Sequence, residues 1–282
     1  MKKVLITGAN GQLGKELSKV FHKDWQVIET DSDTLDITNP VQVKDFLAKE
    51  KPNWVINSAA YTDVEGCAKD PDKANLINAL GNKNLADAAK EINSKLLYIS
   101  TNEVFDGEKA TAYVESDLPK PINPYSVSKL QGEKFAQEVL GDNCLIIRTA
   151  WLYGPESKVN FPNKIITRAK ELGELAVVDD EISTPTFASD LAKWIKELVD
   201  KNEGGVYHLV NDGFASRYDW AEQILAESKV SAKLNRSKLE NYPRLSTPPK
   251  RSVLSNQKAK DLGLVFRPWQ EASSEYLKAL SA

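Results

Sequence analysis

The chain has 282 residues, 41% hydrophobic and 27% charged, with a formal net charge of -3. That balance excludes the disordered, collagenous and coiled-coil classes, and the length allows one large domain or two unequal ones. With 37 basic against 40 acidic residues there is no overall positive field for nucleic acid or an anionic membrane, and no apolar run approaches the roughly 20 residues that cross a bilayer.

In chain order, residues 4–7 form a short apolar run, followed by the glycine loop Gly8-Ala9-Asn10-Gly11-Gln12-Leu13-Gly14 and a helical pattern over 12–21. Apolar runs rich in Val, Ile, Leu and Tyr recur at 26–30, 54–58, 96–100 and 145–149, nearly continuous in character as strands buried on both faces should be. Between them, residues 41–50, 72–92 and 126–140 carry apolar residues at helical spacing, and Asn39-Pro40 supplies a cap and a first-turn proline. Strand-helix-strand units of this length imply right-handed crossovers, so the predicted fold is α/β with a Rossmann-like, doubly wound parallel sheet. Beyond Gly154 the rhythm loosens into helices at 164–172 and 188–201, a strand at 206–210, a helix at 216–227, an extended Pro-containing stretch at 242–249 and a terminal helix at 268–280. This predicts a dinucleotide-binding domain over 1–153, to which the chain returns around 186–211, and a smaller C-terminal substrate-binding domain mainly over 154–282.

Cys67 and Cys144 form no CxxC pair, and both read as small buried hydrophobes. The apolar part of Met1-Lys2-Lys3-Val4-Leu5-Ile6-Thr7 is too short for an export signal, so a reducing, cytoplasmic location is expected. His22 and His208 lack a second ligand at metal spacing, and Asp179-Asp180-Glu181 reads as a solvated acidic loop. Trp194, Trp220 and Trp269 read as packing residues.

The glycine loop follows a strand and opens a helix, the setting in which glycines permit a tight turn and let backbone amides approach a pyrophosphate at the positive end of the helix dipole. The second strand ends in Glu29-Thr30-Asp31, where a carboxylate can accept from both hydroxyls of an adenosine ribose. Asp31 with no adjacent arginine would repel a 2'-phosphate, so NADH is favoured over NADPH; Asp36 and Ile37 would border the adenine. In Tyr125-Ser126-Val127-Ser128-Lys129, a helix puts Tyr125 and Lys129 one turn apart on one face. A free phenol titrates near pH 10, and a cation one turn away favours its phenolate, which makes the pair acid/base machinery. Thr101 ends a strand on the side where open α/β sheets place ligands, and its hydroxyl could bind a substrate oxygen.

In these residues the chain resembles the extended short-chain dehydrogenase/reductases and, within them, the dTDP-4-dehydrorhamnose reductase family. The resemblance runs over nearly the whole length and includes Leu35-Asp36-Ile37-Thr38, Val55 to Thr62, Val104-Phe105-Asp106-Gly107, Arg148 to Gly154, Pro185-Thr186 and Ser252-Val253-Leu254-Ser255. It implies reduction of a nucleotide-linked 4-keto-6-deoxysugar by NADH or NADPH, with dTDP-L-rhamnose as product. It also implies that Tyr125 gives the proton, Lys129 holds the nicotinamide ribose and tunes Tyr125, and Thr101 binds the keto oxygen. The implied cofactor contacts are Gly8, Asn10, Gly11, Gln12, Leu13, Asp31, Asp36, Ile37, Ala59, Ala60, Tyr61 and Ser100, with Tyr125 and Lys129; the implied sugar contacts are Thr101, Glu103, Val104, Trp151 and Asn160. Some relatives form a homodimer bridged by magnesium at a glutamate matching Glu16. The chain departs from the family where Ser-Thr-Asp-Tyr becomes Ser100-Thr101-Asn102-Glu103, where Ser183 replaces a glycine, and where Pro248-Pro249 stands for Arg-Pro. Sibling families with the same triad are nucleotide-sugar epimerases and dehydratases, and noncatalytic regulatory subunits share the fold, so both readings stand beside the reductase.

Overall fold

Val4 and Ile6 are wholly buried in one apolar layer and Leu5 in the other, because the strand that carries them, β1 (Lys3–Thr7), pairs on both edges and is covered on both faces. The computed structural model describes residues 1–157 and 159–281. From β1 the chain runs through α1 (Gln12–Phe21), β2 (Gln26–Thr30), α2 (Pro40–Glu50), β3 (Trp54–Asn57) and α3 (Val64–Lys69). Next come α4 (Pro71–Asn75), a π-helical turn (Leu76–Leu80) and α5 (Gly81–Glu91), one continuous rod where a single helix over 72–92 is expected. β4 (Lys95–Thr101), α6 (Pro124–Leu140) and β5 (Cys144–Thr149) complete the first half.

The second half holds β6 (Leu152–Tyr153), α7 (Phe161–Leu172), β7 (Glu174–Val178), β8 (Ile182–Ser183), β9 (Thr186–Phe187), α8 (Ala188–Asp200), β10 (Gly205–His208), β11 (Ala215–Ser216), α9 (Arg217–Ser228), β12 (Lys233–Ser237), α10 (Gln257–Asp261) and α11 (Trp269–Ser281). The central sheet has the order β10-β5-β4-β3-β1-β2, and every pairing in it is parallel. β10 pairs in parallel with β5 at the edge of this sheet, after the excursion through residues 150–204.

Two apolar layers sandwich the sheet, as its doubly buried strands require. One is made by Leu13, Leu17 and Phe21 of α1 with Leu191, Ile195 and Leu198 of α8. The other is made by Val43 and Leu47 of α2, Leu85 and Ala89 of α5 and Ala136 of α6. A separate cluster joins Ile165, Trp220, Ile224 and Tyr276 of α7, α9 and α11 to Leu175 and Val177 of β7. The parallel pair β7 and β12 was not expected, because β12 reads Lys-Leu-Asn-Arg-Ser and buries none of its residues fully.

Local caps explain the boundaries. Asn39 accepts from Val41 N and Gln42 N at the start of α2, and Asn123 with Ser126 forms a reciprocal capping box ahead of Pro124 in α6. Cys67 and Cys144 are buried and unpaired. His208 is enclosed, and burial, reinforced by the Arg148 charge, pushes its imidazole down to about 3.

Candidate active site

The carboxyl ends of the central strands open into two adjoining cavities of about 610 and 560 Å³ that share Gly11, Ser58 and Ala60. Gly8, Asp31, Asp36, Ile37, Ala59 and Tyr61 line the first. Gln12, Leu13, Ser100, Thr101, Glu103, Tyr125, Lys129 and Trp151 line the second.

The first cavity is shaped by backbone that tolerates no side chain. Gly8 has φ +67°, and a Cβ there would lie 2.7 Å from Ala59 N; a Cβ on Gly14 would meet the Gly8 carbonyl oxygen and stand 2.7 Å from Ala9 Cα. α1 begins at Gly11 with no side-chain cap, so its first amides are left for a ligand. The Asp31 carboxylate is held in place by Asn10 N at 3.1 Å and Ser32 N at 2.8 Å. Asn10 thus acts through its backbone, and its exposed side chain lines neither cavity. Asn78, in the π turn, grips Tyr61 through both backbone groups and donates to Ser128 Oγ at 3.0 Å, tying the Ala59 to Tyr61 segment to α6. A glycine cradle, an uncapped helix terminus and a fixed carboxylate fit a dinucleotide.

Thr101, Tyr125 and Lys129 converge in the second cavity, from the end of β4 and the first turns of α6. Burial, followed by the Glu103 charge, pushes the Tyr125 phenol well above its ordinary value, while the Thr101 hydroxyl works the other way. Burial pushes Lys129 down to about 7, against the opposing charge of Glu133. The expectation that Lys129 draws Tyr125 towards phenolate is therefore corrected for the free protein. Spacing brings the pair together, but desolvation penalises both charged forms. Lys129 Nζ sits 4.1 Å from the centre of the Tyr98 ring, and Tyr98 Oη donates to Asn78 O at 2.7 Å. Ser100 borders the cavity, yet its hydroxyl donates to Glu133 Oε1 at 2.5 Å, and Arg148 closes the other side of that buried carboxylate at 3.0 and 2.7 Å.

The far end of the second cavity holds Glu103, Trp151 and a residue with no local sequence signal, Arg217 at the start of α9. Trp151 has φ +40°, rare for a bulky residue, and stacks on Trp220 with the planes 6° apart. The Arg217 guanidinium lies 3.6 Å above the Trp151 ring and binds Glu181 through Nε at 3.0 Å and Nη2 at 2.9 Å. Glu181 is buried in that pairing, which corrects the expectation of a solvated acidic loop.

Two further expectations are corrected. Val104 is wholly buried in a cluster with Phe105, Tyr113 and Leu254, because the turn after β4 points it inward. Asn160 is the N-cap of α7: Oδ1 accepts from Asn163 N at 3.0 Å, and Nδ2 meets Gly154 O, Ser157 O and Tyr276 Oη. Neither lines the cleft. The Glu16 carboxylate is engaged by Lys19 Nζ at 2.7 Å and Ser189 Oγ at 2.6 Å.

The family model described as RmlD substrate binding domain matches residues 1–282. Spore coat polysaccharide biosynthesis protein SpsK of Bacillus subtilis is 36% identical, over 100% of this chain and 99% of its own. The crystal structure of a dTDP-4-dehydrorhamnose reductase from Clostridium acetobutylicum superposes with a TM-score of 0.96 at 40% identity, covering 99% of this chain and 100% of that one. That of the Bacillus anthracis dTDP-4-dehydrorhamnose reductase, solved in complex with NADP, gives 0.95 at 35% identity with the same coverage.

Proposed function

Because the chain belongs to the RmlD substrate-binding-domain family, we propose that it is a nicotinamide-dependent oxidoreductase that reduces the 4-keto group of a nucleotide-linked 6-deoxysugar, dTDP-4-dehydrorhamnose, to give dTDP-L-rhamnose. The observation that carries the reading is the convergence of Thr101, Tyr125 and Lys129 in a cleft continuous with the Gly8 to Gly14 cradle. The first 153 residues and the return through α8 and β10 would hold the cofactor, and most of the remainder the sugar nucleotide.

The glycine cradle would receive the pyrophosphate, Asp31 the adenosine ribose, and Lys129 the nicotinamide ribose. Asp31 and Asp36 line this cavity with a single cation among the lining residues, Lys73, and the Asp31 carboxylate supports NADH over NADPH. The bound reduced nicotinamide supplies the hydride. Thr101 holds the keto oxygen, and Tyr125 protonates that oxygen as its negative charge develops. A phenol whose proton is held tightly by burial suits a donor, because it stays loaded until alkoxide forms beside it. The unpaired buried thiols Cys67 and Cys144 fit a reducing compartment, the cytoplasm, and among the described residues no helix is long and apolar enough to cross a membrane.

The test is loss of reduced-nicotinamide absorbance with NADH and NADPH in parallel on adding dTDP-4-dehydrorhamnose. Turnover with the wild type, and a loss of at least about 100-fold in Tyr125→Phe with cofactor binding retained, is the expected result. No oxidation of either cofactor by folded, cofactor-binding protein overturns the proposal.

A further inference from the structure

Glu103 lies between the two groups assigned to the reacting oxygen, and its chemistry is not used by the reduction itself. It occupies the single turn Asn102–Val104 that follows β4, two residues after Thr101, and its backbone N–H donates to Thr101 Oγ1 at 3.2 Å. On the other side its Oε2 accepts from Asn123 Nδ2 at 2.8 Å, and Asn123 is the cap of α6 two residues before Tyr125. The carboxyl group is thus pinned to the same two segments that hold the proton donor and the carbonyl-binding hydroxyl. Its Oε1 has no hydrogen-bond partner among the described residues, and the residue lines the cleft.

The surroundings raise the pKa of this group on balance, with burial the largest cause. Burial raises its pKa, the Asn123 hydrogen bond and the Arg217 and Arg244 charges lower it, and Glu181 raises it. Neither arginine bonds it: Arg217 is committed to Glu181 and lies flat on Trp151, and Arg244 Nη1 stands 4.0 Å from Glu181 Oε2. When a sugar enters and displaces water, an enclosed carboxylate oxygen without a donor is costly, whereas a hydrogen bond to a charged acceptor is among the stronger ones.

Resting on the reductase reading above, we propose that Glu103 is a specificity-determining residue. Its Oε1 accepts a hydrogen bond from the substituent on the sugar carbon next to the keto carbon. In a 4-keto-6-deoxysugar, C5 carries a methyl group and the ring oxygen, so the neighbour able to bear a donor is C3. The site therefore selects sugars with a hydroxyl or an ammonium at C3 over 3-deoxy analogues.

The experiment compares kcat/KM of the wild type for dTDP-4-keto-6-deoxysugars carrying a 3-hydroxyl, a 3-amino group or hydrogen at C3. The expected result is a preference of roughly 10- to 100-fold for a donor-bearing sugar over the 3-deoxy one; whichever of hydroxyl and amine is faster identifies the source of the donor. Glu103→Ala is expected to bring the ratio within about threefold. Equal values in the wild type, or a preference that survives intact in Glu103→Ala, overturn the inference while leaving the reductase reading in place. Oxidation of cofactor by none of the three sugars overturns both. The wild-type arm decides the matter without relying on a variant that folds.

Discussion

Replacing Lys129 by Met is expected to stabilise the cofactor-free protein while removing its activity. Lys129 is 2% exposed, and burial drives its ammonium from the ordinary 10.5 down to about 7. At about 1.4 kcal/mol for each tenfold change, holding the charge inside costs on the order of 4–5 kcal/mol. The Tyr98 ring, 4.1 Å from Nζ, returns about 1–2 kcal/mol through cation–π attraction, leaving a net cost of about 2–4 kcal/mol. Met fills similar volume and keeps a favourable sulfur contact with the ring. In the unfolded chain the lysine stays protonated up to about 10.5, and in the folded protein it loses its proton near 7. Between those values the unfolded state binds more protons, so this group's contribution to stability rises with pH, and its full penalty applies below pH 7. The advantage of Lys129→Met is therefore largest at pH 6, a rise in Tm on the order of 5 °C, and shrinks towards pH 10. Thermal unfolding of both proteins without cofactor at pH 6 and pH 9 measures it, alongside kcat, which should fall by at least about 100-fold. A variant less stable than the wild type at pH 6, or an advantage that grows with pH, would refute the claim that Lys129 is kept at a cost to the fold.

Three other perturbations follow from the geometry. Asp31→Ala removes the carboxylate that Asn10 N and Ser32 N hold in the first cavity, so KM for NADPH should fall and KM for NADH rise, shifting the ratio roughly 10-fold, about 1.4 kcal/mol. Gly14→Ala places a methyl group against the Gly8 carbonyl and Ala9. It should lower Tm and weaken dinucleotide binding together, measured by thermal unfolding and cofactor titration; an unchanged affinity would mean the loop re-forms around the methyl. Glu133→Ala strips the buried partner from Arg148 and Ser100 and should cost about 3–5 kcal/mol, read by denaturant unfolding. The paired change Glu133→Leu with Arg148→Met should recover most of that loss, because no unpaired charge is then left inside.

What the sequence revealed was governed by near neighbours along the chain. α1 and β2 were placed correctly to the residue because Gly8 to Gly14 and the acidic end Glu29 to Asp31 bracket them. Tyr125 and Lys129 could be paired because one helix carries both, and Pro124 marks where that helix begins. Asn160 carries a different signal from the one the resemblance implies: an Asn followed by Phe161-Pro162 is a helix start, and its buried side chain caps α7 and meets Gly154 O, Ser157 O and Tyr276 Oη away from the cleft. Val104 shows the same limit, since lying next to Glu103 in a tight turn points it to the opposite side. Arg217 was invisible because its meaning comes from Glu181, 36 residues away, and from the Trp151 ring it covers.

The larger gap concerns charge. Spacing tells which groups meet, whereas their protonation depends on how much water the assembled walls exclude, and those walls come from β4, α6, β5 and α9 together. In the free protein burial lowers the Lys129 pKa to about 7, Tyr125 keeps its proton, and Glu103 leaves one oxygen without a protein donor among the described residues. Only the Lys129 charge is costly in the free protein, and each group meets a partner in what the proposed reaction brings: a ribose for Lys129, a developing alkoxide for Tyr125, a sugar substituent for Glu103. A site built this way gives up stability in order to be complete only with its ligands in place. The enclosure that penalises the Lys129 charge is the one in which Glu103 would meet a ligand, so stability measurements on Lys129 and selectivity measurements on Glu103 report on one arrangement from two sides.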